Sequence, residues 1–312
     1  MKILVADKFP EQYLEEFKSK GYEVANEPKL GENDLAEPAK SADVIIVRST
    51  VVNADTIKGS DTLKLVIRAG SGVNNIDLAA ATEKGVSVAN TPGKNAVAVA
   101  ELAMGLIISL DRSIPDNIAD FRNSIWNKAK YSKSDGLLGK TLAVIGTGNI
   151  GVEVAKRAQA FGMKVYGYDI VKVDSPYFEY LDDFNKAIEV ADIISLHLPS
   201  NAKTKGMINK EVFAKMKNGA MLINTSRHQV VNEDDLLEAV ESKNLKVGVD
   251  VFSDEPEGKD GSVSSKLQSN PGIYVTHHIG ASTEQAQDAV AQEVVKVVNT
   301  FSETGNVLNK VN

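Results

Sequence analysis

Short continuous apolar runs, mostly β-branched, recur along the chain at residues 3–6, 44–47, 65–67, 86–89, 142–145, 165–168, 193–196, 221–223, 247–251 and 273–275. Runs without polar alternation are the mark of strands covered on both faces, as in parallel sheets. Between them the apolar spacing becomes helical, as in Tyr13, Leu14 and Phe17, or Leu236, Leu237 and Val240. Asn232 is placed to cap the latter helix, with acids in its first turn. Regular alternation of strand and helix predicts an α/β fold of parallel sheets. Two longer helices stand apart. One covers about residues 95–110. The other is terminal, with Ser282 as its cap, Gln285 completing a capping box, and apolar positions at Ala286, Val290, Val294, Val297, Val298 and Phe301. Residues 254–265 are polar and predicted irregular, and 126–139 form a weakly patterned connector.

Composition narrows the class. The chain has 312 residues, 43% of them hydrophobic and 25% charged, enough for about two domains with substantial cores. It has no cysteine, which excludes a disulfide framework, thiol catalysis and cysteine-ligated zinc. A formal charge of −7 argues against nucleic acid as a partner. The longest apolar run, 96–110, is interrupted by Glu101 and too short for a bilayer, so no membrane partner is expected. The first residues run straight into a strand without a signal-peptide pattern, and a cytoplasmic location is expected.

The most informative local motif is Gly146-Thr147-Gly148-Asn149-Ile150-Gly151, which follows one apolar strand and opens a helix. A second strand, 164–168, comes next, with Asp169 at its end. This is the context that a dinucleotide-binding turn requires. Gly146 permits the tight turn, Gly148 admits a pyrophosphate to the backbone, and Gly151 allows close packing of helix on strand. The helix N-terminus adds unpaired N–H groups. Asp169 can accept hydrogen bonds from an adenosine ribose and repels a 2′-phosphate, so the expected cofactor is NAD rather than NADP, with Lys172 the nearby cation that bears on this preference. No metal is expected.

Later in the chain, Arg227, Asp250 and His278 follow the strands at 221–223, 247–251 and 273–275, and Glu255 follows Asp250. Ends of strands are where an open α/β sheet binds its ligands. An Arg to anchor a carboxylate, a His to move a proton and a Glu to hold the imidazole would suffice to interconvert an alcohol and a ketone. Spacing alone also allows these charges to be ordinary solvated surface groups.

Taken together, Gly146 to Gly151, Asn224-Thr225-Ser226-Arg227, Gly248-Val249-Asp250-Val251-Phe252, Asp254-Glu255-Pro256 and His278-Ile279-Gly280 resemble the D-isomer-specific 2-hydroxyacid dehydrogenase family. The stretch from Arg68 to Asp77 and Asn90-Thr91-Pro92 resemble its first domain. The resemblance implies Arg227, Glu255 and His278 as catalytic residues. It implies coenzyme contacts at Gly146, Gly148, Asn149, Ile150, Gly151, Asp169, His197, Pro199, Thr204, Thr225, Ser226, Arg227, Asp250, His278 and Gly280. It also implies a fold of two doubly wound parallel-sheet domains. In that fold a Rossmann coenzyme domain (96–285) is inserted in a flavodoxin-like substrate domain (1–95 and 286–312), the substrate lying between them, and a homodimer is usual. Three positions depart from the family pattern. His228 stands where Gly is common, Asn232 where Asp is common, and His277 where Pro is common. His277 therefore competes with His278 for the proton-transfer role, and the following Ile279-Gly280 favours His278.

Within the family the chain is most similar to the D-3-phosphoglycerate dehydrogenases, through Val47-Arg48-Ser49, the stretch Arg68 to Val73, and Trp126-Asn127-Lys128. The small-molecule substrate would then be a phosphorylated 2-hydroxy acid, and the reaction the first step of phosphorylated serine biosynthesis. Its carboxylate is expected at the N–H groups of Ser71, Gly72 and Val73 near Asn95, with Arg227 beside it. Its phosphate is expected at Arg48 and Ser49, with help from Lys128. A chain ending at Asn312 is expected to lack a C-terminal regulatory domain. One competing expectation is reduction of glyoxylate, hydroxypyruvate or another 2-keto acid. Another, of a different class, is an NAD-sensing corepressor-like binding protein.

Overall fold

Apolar strands and amphipathic helices assemble into two compact units, Met1–Asn95 with Ser282–Asn312, and Ala96–Ala281. The structure is a computed structural model that describes residues 1–256 and 261–312. The second crossing between units falls at Ser282 rather than at residue 286.

In the first unit, strands β1 (Lys2–Val5), β2 (Glu23–Asn26), β3 (Val44–Val47), β4 (Leu65–Arg68) and β5 (Ser87–Ala89) form an all-parallel sheet in the order β2-β1-β3-β4-β5. That is the flavodoxin-like order. One face is covered by Leu14 and Phe17 together with Val294, Val297 and Val298 of the terminal helix Glu284–Thr304. The other face is covered by Leu35, Ile57, Ala80 and Ala81.

The second unit contains β6 (Thr141–Ile145), β7 (Lys164–Tyr168), β8 (Glu179–Tyr180), β9 (Ile193–Leu196), β10 (Met221–Asn224), β11 (Lys246–Val249) and β12 (Ile273–Val275). All pair in parallel, in the order β12-β11-β10-β9-β6-β7-β8. Helices Ala96–Arg112 and Asn149–Ala160 cover one face through Leu106, Ile107, Val154 and Ala155. Phe213, Leu236 and Val240 cover the other. The strand order reverses between β6 and β9, and at such a switch point the connections diverge and leave a crevice.

The sheet register aligns the strand ends. Tyr168, Ile145, Leu196, Asn224, Val249 and Val275 are successive partners across β7, β6, β9, β10, β11 and β12. One residue further along each strand therefore gives a single row: Asp169, Gly146, His197, Thr225, Asp250 and Thr276.

Two strands escape the hydrophobic pattern, and both lie on a sheet edge. β2 is exposed at Glu23 and Asn26, and β8 is only Glu179 and Tyr180. An edge strand pairs on one side only and needs no continuous apolar run. The terminal helix also starts differently from the expected capping box. Its cap is Thr283, whose hydroxyl accepts the N–H of Ala286 at 3.1 Å, and Ser282 lies outside. Helix Ile114–Arg122, which buries none of its residues fully, precedes the irregular stretch 126–139. Within the expected loop 254–265, residues 257–260 lie outside the described residues. No helix among the described residues is long and apolar enough to cross a membrane.

Candidate functional site

The glycine turn is shaped by what surrounds each glycine. Gly146 has φ +95°, and a Cβ there would lie 2.4 Å from the carbonyl oxygen of His197 on the neighbouring strand end. A Cβ on Gly151 would lie 2.1 Å from the carbonyl oxygen of Gly146 and 3.0 Å from Val144, so the helix can approach the strand only without a side chain here. Gly148 is different. It caps helix Asn149–Ala160, and a Cβ there would meet nothing within 4 Å. The space over its backbone is open in the protein, at the end of a helix whose first N–H groups lack partners.

The adjacent strand end carries Asp169. Its Oδ2 accepts the N–H of Thr147 at 2.7 Å and its Oδ1 that of Val171 at 3.1 Å, which ties the carboxylate to the turn. Lys172 forms an ion pair with Asp182 and lies 5.3 Å from the centre of the Tyr180 ring. It is thus engaged by another carboxylate.

Across the switch point, Nε2 of His197 is 2.9 Å from Oγ of the buried Ser195. Burial pushes the imidazole down to about 3, so the ring is neutral at physiological pH. Nδ1 of His197 and Oγ1 of Thr225, past the ends of neighbouring strands, are both buried without a hydrogen-bond partner among the described residues. Unpaired buried polar atoms are costly, and a ligand rich in hydroxyl and phosphate oxygens suits a row that carries two of them. Thr204 shapes the loop beyond, accepting the N–H of Asn201 at 2.9 Å and donating to the carbonyl of Pro199 at 2.6 Å. Glycine turn, helix N-terminus, Asp169 and these polar atoms together fit a dinucleotide.

Three strands over, the polar residues converge. Nδ1 of His278 is 2.7 Å from Oε2 of Glu255, whose other oxygen accepts the N–H of Phe252 at 3.0 Å. The Glu255 hydrogen bond raises the His278 pKa above its ordinary value, against the effect of burial. Burial alone would push the Glu255 carboxyl up. The hydrogen bond and charge of His278, with the Phe252 N–H, outweigh it and leave the carboxyl below its usual range. Burial disfavours the charge on Arg227 and Glu255 favours it. The Arg227 turn is stapled by Asn224, which accepts the N–H and the hydroxyl of Ser226 at 3.0 and 2.7 Å and donates to the Arg227 carbonyl at 3.0 Å.

Asp250 is almost fully buried and its carboxylate is occupied. Oδ1 accepts the hydroxyl of Thr276 at 2.6 Å and the N–H of Ile279 at 2.9 Å, and Oδ2 accepts the N–H of Gly280 at 2.8 Å. These bonds bracket His278, which sits at φ +51°, a conformation costing a non-glycine residue about 1–2 kcal/mol. The family resemblance puts Asp250 at the nicotinamide; here both its oxygens hold the loop that carries His278. His277 is exposed and hydrogen-bonds to no described side chain, whereas His278 meets Glu255.

The other departures have local readings. Asn232 accepts the N–H groups of Asp234 and Asp235 at 3.1 and 3.2 Å, doing as N-cap what Asp would do. His228 opens a short 3₁₀ turn and, with Asn224, Glu233 and Val251, lines a cavity of about 10 Å³, roughly the space of one water centre.

In the first unit, Arg48 follows β3 and its carbonyl accepts Nε of Arg68, the end of β4, at 3.1 Å. Ser49 turns to Asp7, donating its N–H at 2.9 Å and its hydroxyl at 3.0 Å. Asn90 holds the carbonyl of Ser71 at 2.6 Å, and the Ser71 hydroxyl reaches Asn95 at 3.1 Å. Among the described residues the N–H groups of Ser71, Gly72 and Val73 have no acceptor. Lys128 is exposed in the stretch after helix Ile114–Arg122, with no ion pair among the described residues. Sequence reasoning did not single out Asp7, Ser195 or Asn224 as site residues. Their one signal was a small polar residue inside or just past an apolar run.

A glycine turn, an acid on the next strand and a switch-point row define an NAD-binding oxidoreductase domain. Residues 104–280 match the family model "D-isomer specific 2-hydroxyacid dehydrogenase, NAD binding domain". The chain belongs to that family. It is 44% identical to the hydroxypyruvate reductase of Thermotoga maritima over 279 residues, covering 88% of this chain and 89% of that one. It is 42% identical to the D-3-phosphoglycerate dehydrogenase of Methanocaldococcus jannaschii over 308 residues, or 96% of this chain, but spans only 57% of that longer protein. A solved structure from Thermus thermophilus superposes with a TM-score of 0.90 at 29% identity, covering all of both chains. NAD is thus the coenzyme.

Proposed function

We propose that the chain oxidises D-3-phosphoglycerate to 3-phosphohydroxypyruvate with NAD, the first reaction of phosphorylated serine biosynthesis, as a cytoplasmic homodimer. The observation that carries the chemistry is the His278–Glu255 contact of 2.7 Å next to Arg227. With Nδ1 held by Glu255, Nε2 of His278 is the nitrogen left to take the proton of the 2-hydroxyl. Arg227 holds the carboxylate and polarises the C2 oxygen. Asp250 fixes the loop of His278, and Gly146, Gly148, Gly151, Asp169, His197 and Thr225 hold the coenzyme. The coenzyme, when bound, supplies the nicotinamide that accepts the hydride from C2.

The phosphorylated substrate is supported by Arg48 at the end of β3 and by the similarity to phosphoglycerate dehydrogenases, while the N–H groups at 71–73, which lack an acceptor among the described residues, suit the carboxylate that both candidate substrates carry. Unphosphorylated hydroxypyruvate is a second reading, favoured by the relative that matches over nearly the whole of both chains. Steady-state assays of D-3-phosphoglycerate, 3-phosphohydroxypyruvate, hydroxypyruvate and glyoxylate decide between them. Arg48→Ala is expected to raise KM for the phosphorylated acid by about 10–100-fold, the worth of a charged hydrogen bond, with much less effect on hydroxypyruvate. Equal effects on both would remove the phosphate from Arg48.

The pH dependence has a definite sign. His278 must be protonated to reduce a keto acid and neutral to oxidise a hydroxy acid. Its pKa is raised by Glu255, so kcat/KM for reduction should be flat at low pH and fall as pH rises through a value above 6.5, the ordinary histidine value. The oxidation profile should rise through the same value. Glu255→Gln removes the charge, and both midpoints should move to lower pH. Unmoved midpoints would mean that another group is being titrated.

A further inference from the structure

We propose that the buried carboxylate of Asp7 is a positioning residue for substrate recognition. It closes the backbone anion site of the turn at 48–50, so that this turn presents an anion with the Arg48 side chain alone. The inference rests on the reading of Arg48 as a substrate ligand.

Asp7 lies two residues past β1 and is only 6% exposed. Because β1 and β3 pair directly, its side chain falls under the turn that follows β3. Its Oδ2 accepts three successive N–H groups, those of Arg48 at 2.7 Å and of Ser49 and Thr50 at 2.9 Å each. Its Oδ1 accepts the Ser49 hydroxyl at 3.0 Å. Three consecutive N–H groups aimed at one oxygen form an anion-binding concavity, and here the anion is part of the chain. Burial works against the Asp7 charge, but the three N–H groups and Ser49 outweigh it and hold the carboxyl below its usual range.

Two consequences follow for the neighbouring residue. First, a tethered carboxylate outcompetes a substrate anion for those N–H groups. The second turn of the unit, Ser71, Gly72 and Val73, keeps its N–H groups without an acceptor among the described residues. Anion binding through backbone is thereby assigned to one turn and through a guanidinium to the other. Second, the Arg48 backbone is gripped at both ends, its N–H by Asp7 at 2.7 Å and its carbonyl by Arg68 at 3.1 Å. Fixing the main chain lowers the ordering cost of bringing a long side chain to a ligand.

The test is a double-mutant cycle on KM, measured with both D-3-phosphoglycerate and hydroxypyruvate. Asp7→Asn keeps the shape but loses the charge and turns an amide N–H toward the turn. It should raise KM for the phosphorylated acid by about tenfold or more, since charged hydrogen bonds set the turn. The kcat and the NADH dissociation constant, read by fluorescence, should stay within about twofold, because the coenzyme residues belong to the other unit. In the Asp7→Asn background, Arg48→Ala should cost far less than in the wild type. Ser49→Ala, a milder loosening, should raise KM a few-fold, and it decides the matter if Asp7→Asn does not fold by circular dichroism. A folded Asp7→Asn protein with unchanged KM, an additive cycle, or an unchanged KM in Ser49→Ala when that variant decides, would overturn the proposal. If Arg48→Ala itself leaves KM unchanged for both acids, it is the reading of Arg48 that fails.

Discussion

His278→Gln is expected to lower kcat by about 10²–10⁴-fold, the usual worth of a positioned acid–base group, while NADH affinity changes little. The imidazole is held by a carboxylate and is still more than half exposed, its side chain at 57%. A partly buried partner on Nδ1 and a free Nε2 are what proton transfer needs, since the ring must be oriented without being enclosed. Glutamine can keep a hydrogen bond to Glu255 but cannot exchange a proton near neutral pH. In the function proposed, coenzyme affinity is carried mainly by the glycine turn and Asp169, on strands β6 and β7, four or more places away in the sheet from β12. Single-turnover measurement with NADH separates the two quantities. A variant that turns over like the wild type would remove His278 from proton transfer, and His277 would then have to be tested in the same way.

How far the amino-acid order speaks for this arrangement depends on the range of the interaction. β3, β9 and β10 lie where continuous apolar runs place them, because an interior strand of a parallel sheet must be apolar on both faces. β2 and β8 were not legible, because an edge strand carries no such demand. The glycine turn was legible residue by residue, since each glycine answers a local demand that φ or a close approach imposes. Asp250 is visible in sequence as a polar residue ending a strand. Its partners at Thr276, Ile279 and Gly280 are 26 to 30 residues away and emerge only when β11 and β12 pair. Asp7 is a stronger case, with its three N–H partners 41 to 43 residues on. Contacts of this kind are made by register, and one chain without its sheet does not reveal them. The exchange of Asp for Asn at position 232 was conspicuous in sequence and proves chemically small, because either side chain offers the oxygen that a helix cap requires.

The glycine turn yields the second large effect, as a contrast between two substitutions three residues apart. Gly151→Ala puts a methyl 2.1 Å from a backbone oxygen, and neither helix Asn149–Ala160 nor β6 can move aside without disturbing the core they share through Val144, Val154 and Ala155. Overpacking against backbone should cost about 3 kcal/mol or more, lowering the melting temperature by roughly 6–12 °C for a unit of this size. Gly148→Ala should do the reverse. Its φ of −68° suits any residue, nothing among the described residues lies within 4 Å of the new methyl, and replacing a glycine cap by alanine costs about 1 kcal/mol, well below the cost at Gly151. The fold should therefore melt almost as the wild type does. The methyl nevertheless occupies the space over which a pyrophosphate must approach the helix N-terminus, and NADH affinity should fall by about 10–100-fold. Calorimetry and fluorescence titration on the two variants thus separate what the turn does for packing from what it does for the ligand. If Gly148→Ala binds NADH as tightly as the wild type, the phosphates are held somewhere other than this turn, and Gly146 and Gly151 serve the fold alone.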